Sequence, residues 1–181
     1  MNRRLSELVK VYDGTLPEAA CERICRLFDH SASHYRKLDG VKSFNELVID
    51  GDTSWLQYSL MLEKAKDDCL IRYQHDCPGI FPDHYDHEAF RIKRYDPERR
   101  DRFEEHVDAY NLDSAKRFLV CFWYLNDVAQ GGETAFTRLG LKVQPRRGRL
   151  VMFPPFWMYE HAAFPPISEA KYIISTYFLF A

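Results

Sequence analysis

Phe118-Leu119-Val120-Cys121-Phe122-Trp123-Tyr124-Leu125 is an unbroken apolar run in the middle of the second half of the chain. It is too short to cross a membrane, and its aromatic content suits a pleated strand. A strand with apolar side chains at odd and even positions has to be covered on both faces. Turn signals and shorter strands surround it. Gly131-Gly132 marks a turn, and residues 133–136 read as a return strand. Pro145-Arg146-Arg147-Gly148 separates two more strands at 141–143 and 149–153. The last strand spans 171–180 and carries Tyr172-Ile173-Ile174-Ser175-Thr176-Tyr177. Short strands at this spacing predict a double-sheet jelly roll or barrel.

The first half reads differently. Leu8, Val9 and Val11 suggest a short strand ended by Asp13-Gly14, and Thr15-Leu16-Pro17-Glu18 has the form of a capping box opening a helix. Ala20, Ile24, Leu27 and Phe28 continue that helix at three- and four-residue spacing. A second helix is expected from Asp52 or Thr53, with the stripe Trp55, Tyr58, Leu62, Ala65, Cys69 and Tyr73. The expected fold class is α+β, a jelly-roll core with supporting N-terminal helices. We expect one domain over 1–181, with 1–88 mainly helical support and 89–181 the strand-rich core.

Composition narrows the function. A net charge of −2 supplies no overall basic field, so no nucleic-acid partner is expected. Five scattered cysteines, an odd number, predict reduced thiols, and Cys21 and Cys25 are expected to pack as small hydrophobes in the first helix. No apolar core follows Arg3 and Arg4, and no apolar stretch is long enough for a membrane span. A cytoplasmic protein without a membrane partner is the expectation.

His106-Val107-Asp108 is the first candidate for chemistry. On extended backbone, residues i and i+2 point the same way, so an imidazole and a carboxylate stand side by side. One more ligand would complete a facial triad with open positions, the arrangement of non-haem iron(II) oxygenases. His84-Tyr85-Asp86 repeats the pattern, but inside Asp83-His84-Tyr85-Asp86-His87-Glu88, a polar cluster expected to be a solvated loop. His161, just past Phe153-Pro154-Pro155-Phe156-Trp157, is the third candidate ligand. On the last strand Lys171, Ile173, Ser175 and Tyr177 share one face. A lysine in so apolar a strand needs an anion or a way out to water.

These residues, taken in order, carry a resemblance. Arg94-Tyr95-Asp96-Pro97, Phe103-x-x-His106-x-Asp108, Tyr124-Leu125-Asn126-Asp127, Gly131-Gly132-Glu133-Thr134-x-Phe136, Pro145-x-x-Gly148, Phe153-Pro154, His161 and Lys171-Tyr172 resemble the prolyl-4-hydroxylase-like branch of the iron(II)/2-oxoglutarate oxygenases. The likeness spans 94–180. It implies a double-stranded β-helix in which His106, Asp108 and His161 are the catalytic iron ligands and Lys171 pairs with the distal carboxylate of 2-oxoglutarate. Tyr95 and Tyr124 fall where the family places tyrosines beside the cosubstrate, although either could be a core tyrosine with a backbone partner. The implied reaction consumes 2-oxoglutarate and O2 and releases succinate and CO2. It hydroxylates an aliphatic carbon of a prolyl or other amino-acid residue, with ascorbate as a reductant. Asp108 occupies the position that related halogenases leave open for halide, which favours hydroxylation.

Two departures lie beside the expected site. Glu98 stands where a glycine is often found, in the charged stretch Pro97-Glu98-Arg99-Arg100-Asp101-Arg102, read as a solvated turn. Ala162-Ala163 follow His161. Trp123 and Trp157 are read as packing residues. A peptide, a protein side chain and a free amino acid all remain open as substrate. The competing readings are a non-catalytic cupin-like jelly roll and a nucleic-acid demethylase, the latter disfavoured by a lysine at 171 and the lack of a basic patch.

Overall fold

Turn residues punctuate the chain at short intervals, and strands form between them. A computed structural model describes residues 4–31, 36–79 and 81–181. Arg3, weighed above for a leader, lies outside them. In order the chain forms β1 (Lys10–Tyr12), α1 (Glu18–His30), β2 (Arg36–Leu38), β3 (Phe44–Val48), α2 (Leu56–Asp76), β4 (Tyr85–His87) and β5 (Arg91–Tyr95). It continues with β6 (Phe103–His106), β7 (Arg117–Tyr124), β8 (Thr134–Phe136), β9 (Leu141–Val143), β10 (Leu150–Phe153), β11 (His161–Ala163) and β12 (Lys171–Phe180).

Among the described residues these strands make two antiparallel sheets. The larger runs β1-β10-β7-β12-β5-β3-β2, with β4 paired to the far end of β12, and the smaller runs β6-β11-β8-β9. The apolar run is β7, central in the larger sheet between β10 and β12. Its two faces serve two cores, as the lack of alternation requires. Trp123, Cys121 and Leu119 turn toward the helices with Ile24, Phe28 and Leu62. Tyr124, Phe122 and Val120 turn toward the smaller sheet with Phe136, Val143 and Phe153. β12 splits by the same parity: Ile173 and Tyr177 lie between the sheets, Ile174 and Phe178 under the helices.

Several expectations change. The first 88 residues are less purely helical than expected, because β1, β2, β3 and β4 all join the larger sheet. Thr15 does not cap α1. The helix starts at Glu18 with Pro17 at its N-cap and no side-chain cap bond. The Thr15 hydroxyl donates instead to the Gly148 carbonyl (3.0 Å) and accepts from the Trp123 indole N–H (3.0 Å). α2 is entered through a single tight turn, Thr53–Trp55, where Asp52 accepts from the Ser54 amide. The polar cluster at 83–88 is not a loop throughout, since Tyr85–His87 pairs with β12. The stretch after Pro97 is not simply solvated. Asp101 is fully buried, bonded to the Ser43 hydroxyl and to the Asp96 amide, while Arg99 reaches Asn45 and Asp39. Trp123 is buried, but Trp157 is 71% exposed and does not pack as expected. The five cysteines are free thiols, with Cys21 buried and Cys25 half-buried in α1. No described helix is long and apolar enough to cross a membrane.

Gly148 closes the turn that holds Thr15. Its φ is +70°, and a Cβ there would stand 2.7 Å from the Leu16 carbonyl oxygen. Both the backbone conformation and the contact demand glycine. Gly148→Ala should therefore lower unfolding stability by more than about 1 kcal/mol, read as a drop in the urea midpoint at unchanged slope. An unchanged midpoint would show that this turn relaxes freely.

Candidate metal centre

β6 and β11 are neighbours in the smaller sheet, and their register sets His106 directly opposite His161. The two rings lie 4.3 Å apart between centroids. Asp108 follows the end of β6 by two residues, so the extended backbone assumed for His106-x-Asp108 stops at His106. The Asp108 and Ala109 amides donate to the Pro155 carbonyl (3.2 and 3.0 Å), which ties this bend to the loop before β11. His106 Nε2 then lies 3.9 Å from Asp108 Oδ1, and His161 Nε2 lies 3.5 Å from Asp108 Oδ2. One ligand atom from each of the three falls within 4.8 Å of the others, and no other such triple occurs among the described residues. The His84-x-Asp86 alternative therefore assembles no site. Its neighbour His87 pairs with Glu63 at 2.8 Å.

The donor set suits a metal. Each imidazole has Nδ1 against a carbonyl oxygen, His106 on Glu104 (2.7 Å) and His161 on Tyr159 (3.0 Å). A carbonyl only accepts, so Nδ1 carries the proton and the Nε2 lone pair is free to bind. Burial, with the nearby His161, pulls the His106 pKa down to about 4, so the ring is neutral at physiological pH. Burial alone would raise the Asp108 carboxyl. The facing imidazoles, a hydrogen bond from Tyr177 and the Lys93 ammonium outweigh it and hold the group below the usual carboxylate value. Tyr177 donates to Asp108 Oδ1 at 2.8 Å, whereas Oδ2 is buried with no hydrogen-bond partner among the described residues. A buried carboxylate oxygen left in that state is costly, and a cation is the partner that fits.

The inner face of the larger sheet supplies the walls. β12 pairs Lys171 with Tyr95, and Ile173 with both Lys93 and Tyr124. A cavity of about 40 Å3 touches all three triad residues and runs along this face past Tyr95, Ile173 and Ser175, with Thr134 of the smaller sheet opposite. Lys171 is 1% exposed, its ammonium 4.1 Å from the Tyr95 ring centroid and donating to the Gly132 (3.0 Å) and Phe164 (3.4 Å) carbonyls. Burial pulls its pKa down to about 7, with Glu133 opposing. Tyr124 Oη lies 2.6 Å from Thr134 Oγ1 and 3.2 Å from the Val143 carbonyl, so Thr134 stands between that phenol and the cavity. Outside, a wider cleft of about 620 Å3 opens on the His106 side of the triad, its least buried member.

Residues 90–179 match the family model described as the 2OG-Fe(II) oxygenase superfamily. The chain belongs to that superfamily. No curated protein matches the sequence. Among solved structures it is similar to the collagen prolyl hydroxylase of Paramecium Bursaria Chlorella virus-1 in its 2OG complex, at 20% identity over 96% of this chain and 97% of that one, TM-score 0.74. It is also similar to a Pseudomonas putida prolyl-4-hydroxylase (17% identity, 96% and 93% covered, TM-score 0.73). A third is the Trichoplax adhaerens prolyl hydroxylase in complex with a hypoxia inducible factor peptide fragment (15%, 96% and 84%, 0.72). These likenesses establish the double-stranded β-helix fold. The family implies iron(II), 2-oxoglutarate and O2, and an oxygenase family replaces the non-catalytic cupin alternative.

Three residues on the cavity wall had no assigned role in the sequence. Ser175 and Tyr177 were placed on the face of Lys171 by parity alone. Lys93 lies in Arg91-Ile92-Lys93-Arg94, where charges on both faces hide the alternation. Tyr177 is fixed by the Arg117 guanidinium 3.9 Å from its ring centroid, and Arg117 also donates to the Asp108 carbonyl (2.7 Å) and to Glu88 (2.6 Å). Tyr177→Phe should weaken iron(II) binding about tenfold in an anaerobic titration, with thermal stability retained. Unchanged affinity would show that Asp108 is oriented without the phenol.

Proposed function

We propose that this protein hydroxylates an aliphatic carbon of a prolyl or other amino-acid residue within a peptide, at iron(II) held by His106, Asp108 and His161. The carrying observation is the convergence of two imidazole Nε2 atoms, each ring held through Nδ1 by a carbonyl, on a buried carboxylate oxygen with no hydrogen-bond partner among the described residues, at the base of an open cleft. Bound iron(II), with 2-oxoglutarate and O2, supplies the family's oxidising chemistry, releasing succinate and CO2 while one oxygen atom enters a substrate C–H bond. The chain's own residues hold and aim. Lys171 offers a cation for the distal carboxylate of 2-oxoglutarate, with Tyr95 against it and Tyr124 acting through Thr134. Phe103, stacked on His106 at 3.4 Å between centroids, keeps that ligand's ring in its plane and covers it from water.

Peptide substrates suit the open cleft, and the similar Trichoplax adhaerens enzyme is in complex with a peptide fragment. Residues 1–181 act as one domain in this reading, because β1 and β3 extend the sheet that carries the site. Five free thiols suit a reducing compartment, the cytoplasm, and ascorbate would serve as the reductant.

The Lys171 pKa makes cosubstrate binding pH-dependent with a definite sign. The lysine is cationic below about pH 7 and loses its proton above it. A dianion prefers the cationic form, so binding above pH 7 must take up a proton. Affinity for 2-oxoglutarate, read anaerobically from the visible charge-transfer band with iron(II), should fall about fivefold between pH 7 and 8. In Lys171→Met it should be weaker and flat over that range. No band in the native protein would contradict the proposed function.

A further inference from the structure

We propose that the cleft in front of the metal selects a peptide bearing an aspartate or glutamate beside the hydroxylated residue, with Lys93 as the seat for that carboxylate. This rests on the proposed function and names its substrate class.

Lys93 is 7% exposed and lines both the small cavity at the triad and the outer cleft, so its ammonium borders the place where metal and substrate would meet. It makes no hydrogen bond or ion pair with any described residue, and the Phe44 ring centroid lies 5.5 Å from Nζ. Burial pulls its pKa below the ordinary lysine value, with Glu46 and Asp108 opposing. The ammonium thus faces the cleft without a paired anion, and a ligand carboxylate would supply one.

The surroundings carry the same sign. Arg36, Lys42, Arg91 and Arg117 also line the cleft, against Glu46 and Asp108 as its acids. Asp108 is committed to the metal. Glu46 faces both Arg36 and Lys93 across the β3 register, beyond ion-pair distance of either. Arg117 and Arg91 share Glu88 (2.6 and 3.7 Å), while Arg36 and Lys42 have no ion pair among the described residues. The chain as a whole carries −2, so this is a local concentration of positive charge, which a low-dielectric cleft focuses onto an incoming anion. The wall bearing Lys42 is held in place, since the Val41 carbonyl accepts from the Glu104 amide (2.8 Å) and the Ser43 amide donates to Arg102 (2.7 Å). Tyr110, 73% exposed, adds an aromatic rim for peptide backbone.

The test uses the protein loaded with iron(II) and 2-oxoglutarate under nitrogen. Fluorescein-labelled Ala-Gly-Asp-Pro-Gly-Ala and its Asn counterpart are titrated by anisotropy, with unlabelled L-aspartate as a competitor. The Asp peptide should bind at least about tenfold more tightly. That preference should vanish in Lys93→Met, survive in Lys93→Arg and shrink with added salt. Equal affinities, no binding of either peptide, or a preference retained in Lys93→Met would overturn the proposal. Equal competition by L-aspartate and the Asp peptide would overturn its peptide part. The charge-transfer band separates the two levels. A band in native and Lys93→Met protein without peptide preference refutes only this inference. A band lost in Lys93→Met alone would assign the lysine to the cosubstrate and refute it too. A band absent from the native protein refutes the proposed function itself.

Discussion

The site turns on one buried oxygen. Asp108 Oδ2 is buried and has no hydrogen-bond donor among the described residues, while Oδ1 is satisfied by Tyr177. Leaving a charged acceptor so placed costs a few kcal/mol on general grounds, and a bound cation would offset it. The support around Asp108 is correspondingly deep. Tyr177 comes from β12, Arg117 from β7, and Glu88 from the residue after β4, so three segments of the larger sheet orient a ligand carried by the smaller one. The imidazoles come instead from the facing pair of β6 and β11. All three ligands are thus carried by the smaller sheet, and the larger sheet packed on it holds Asp108 in place.

The same packing separates two chemistries along one sheet face. On β5 and β12 the cross-strand pairs Arg91–Ser175, Lys93–Ile173 and Tyr95–Lys171 run from the cleft inward. Lys171, deepest, has its ammonium resting on two carbonyls and an aromatic ring, a setting that suits the proposed pairing with a small dianion. Lys93, nearer the opening, has neither carbonyl nor carboxylate on its ammonium among the described residues. Two lysines two registers apart can thus serve a cosubstrate and a substrate without competing, provided each keeps to its own side of the metal.

Much of this was legible in the sequence where packing obeys a period. β12 was read with its full span and correct parity because Ile173, Ile174, Tyr177 and Phe178 are apolar on both faces. The triad was legible because His106, Asp108 and His161 fell in an ordered series of motifs that His84-x-Asp86 lacked. Illegible parts share a cause: polar residues at positions a pattern assigns to solvent. β2 is Arg36-Lys37-Leu38 at a sheet edge, and β4 is Tyr85-Asp86-His87, so neither shows an apolar side. The Asp39-Gly40 turn was the available signal for the β2–β3 pair. Lys93 was hidden because the wall of an active site is itself polar, which inverts the rule that an inner face is apolar. Thr15 misled for a different reason. A hydroxyl before a helix can cap it or bond elsewhere, and here the carbonyl of Gly148, distant in sequence, took it.

The central claim is that the cation belongs at Asp108 between the two histidines. Iron-edge anomalous diffraction from crystals grown with iron(II) under nitrogen tests it directly. The expected result is a single strong peak bonded to His106 Nε2, His161 Nε2 and Asp108 Oδ2. A peak elsewhere, such as beside His84 and Asp86, or none at the triad, would contradict it.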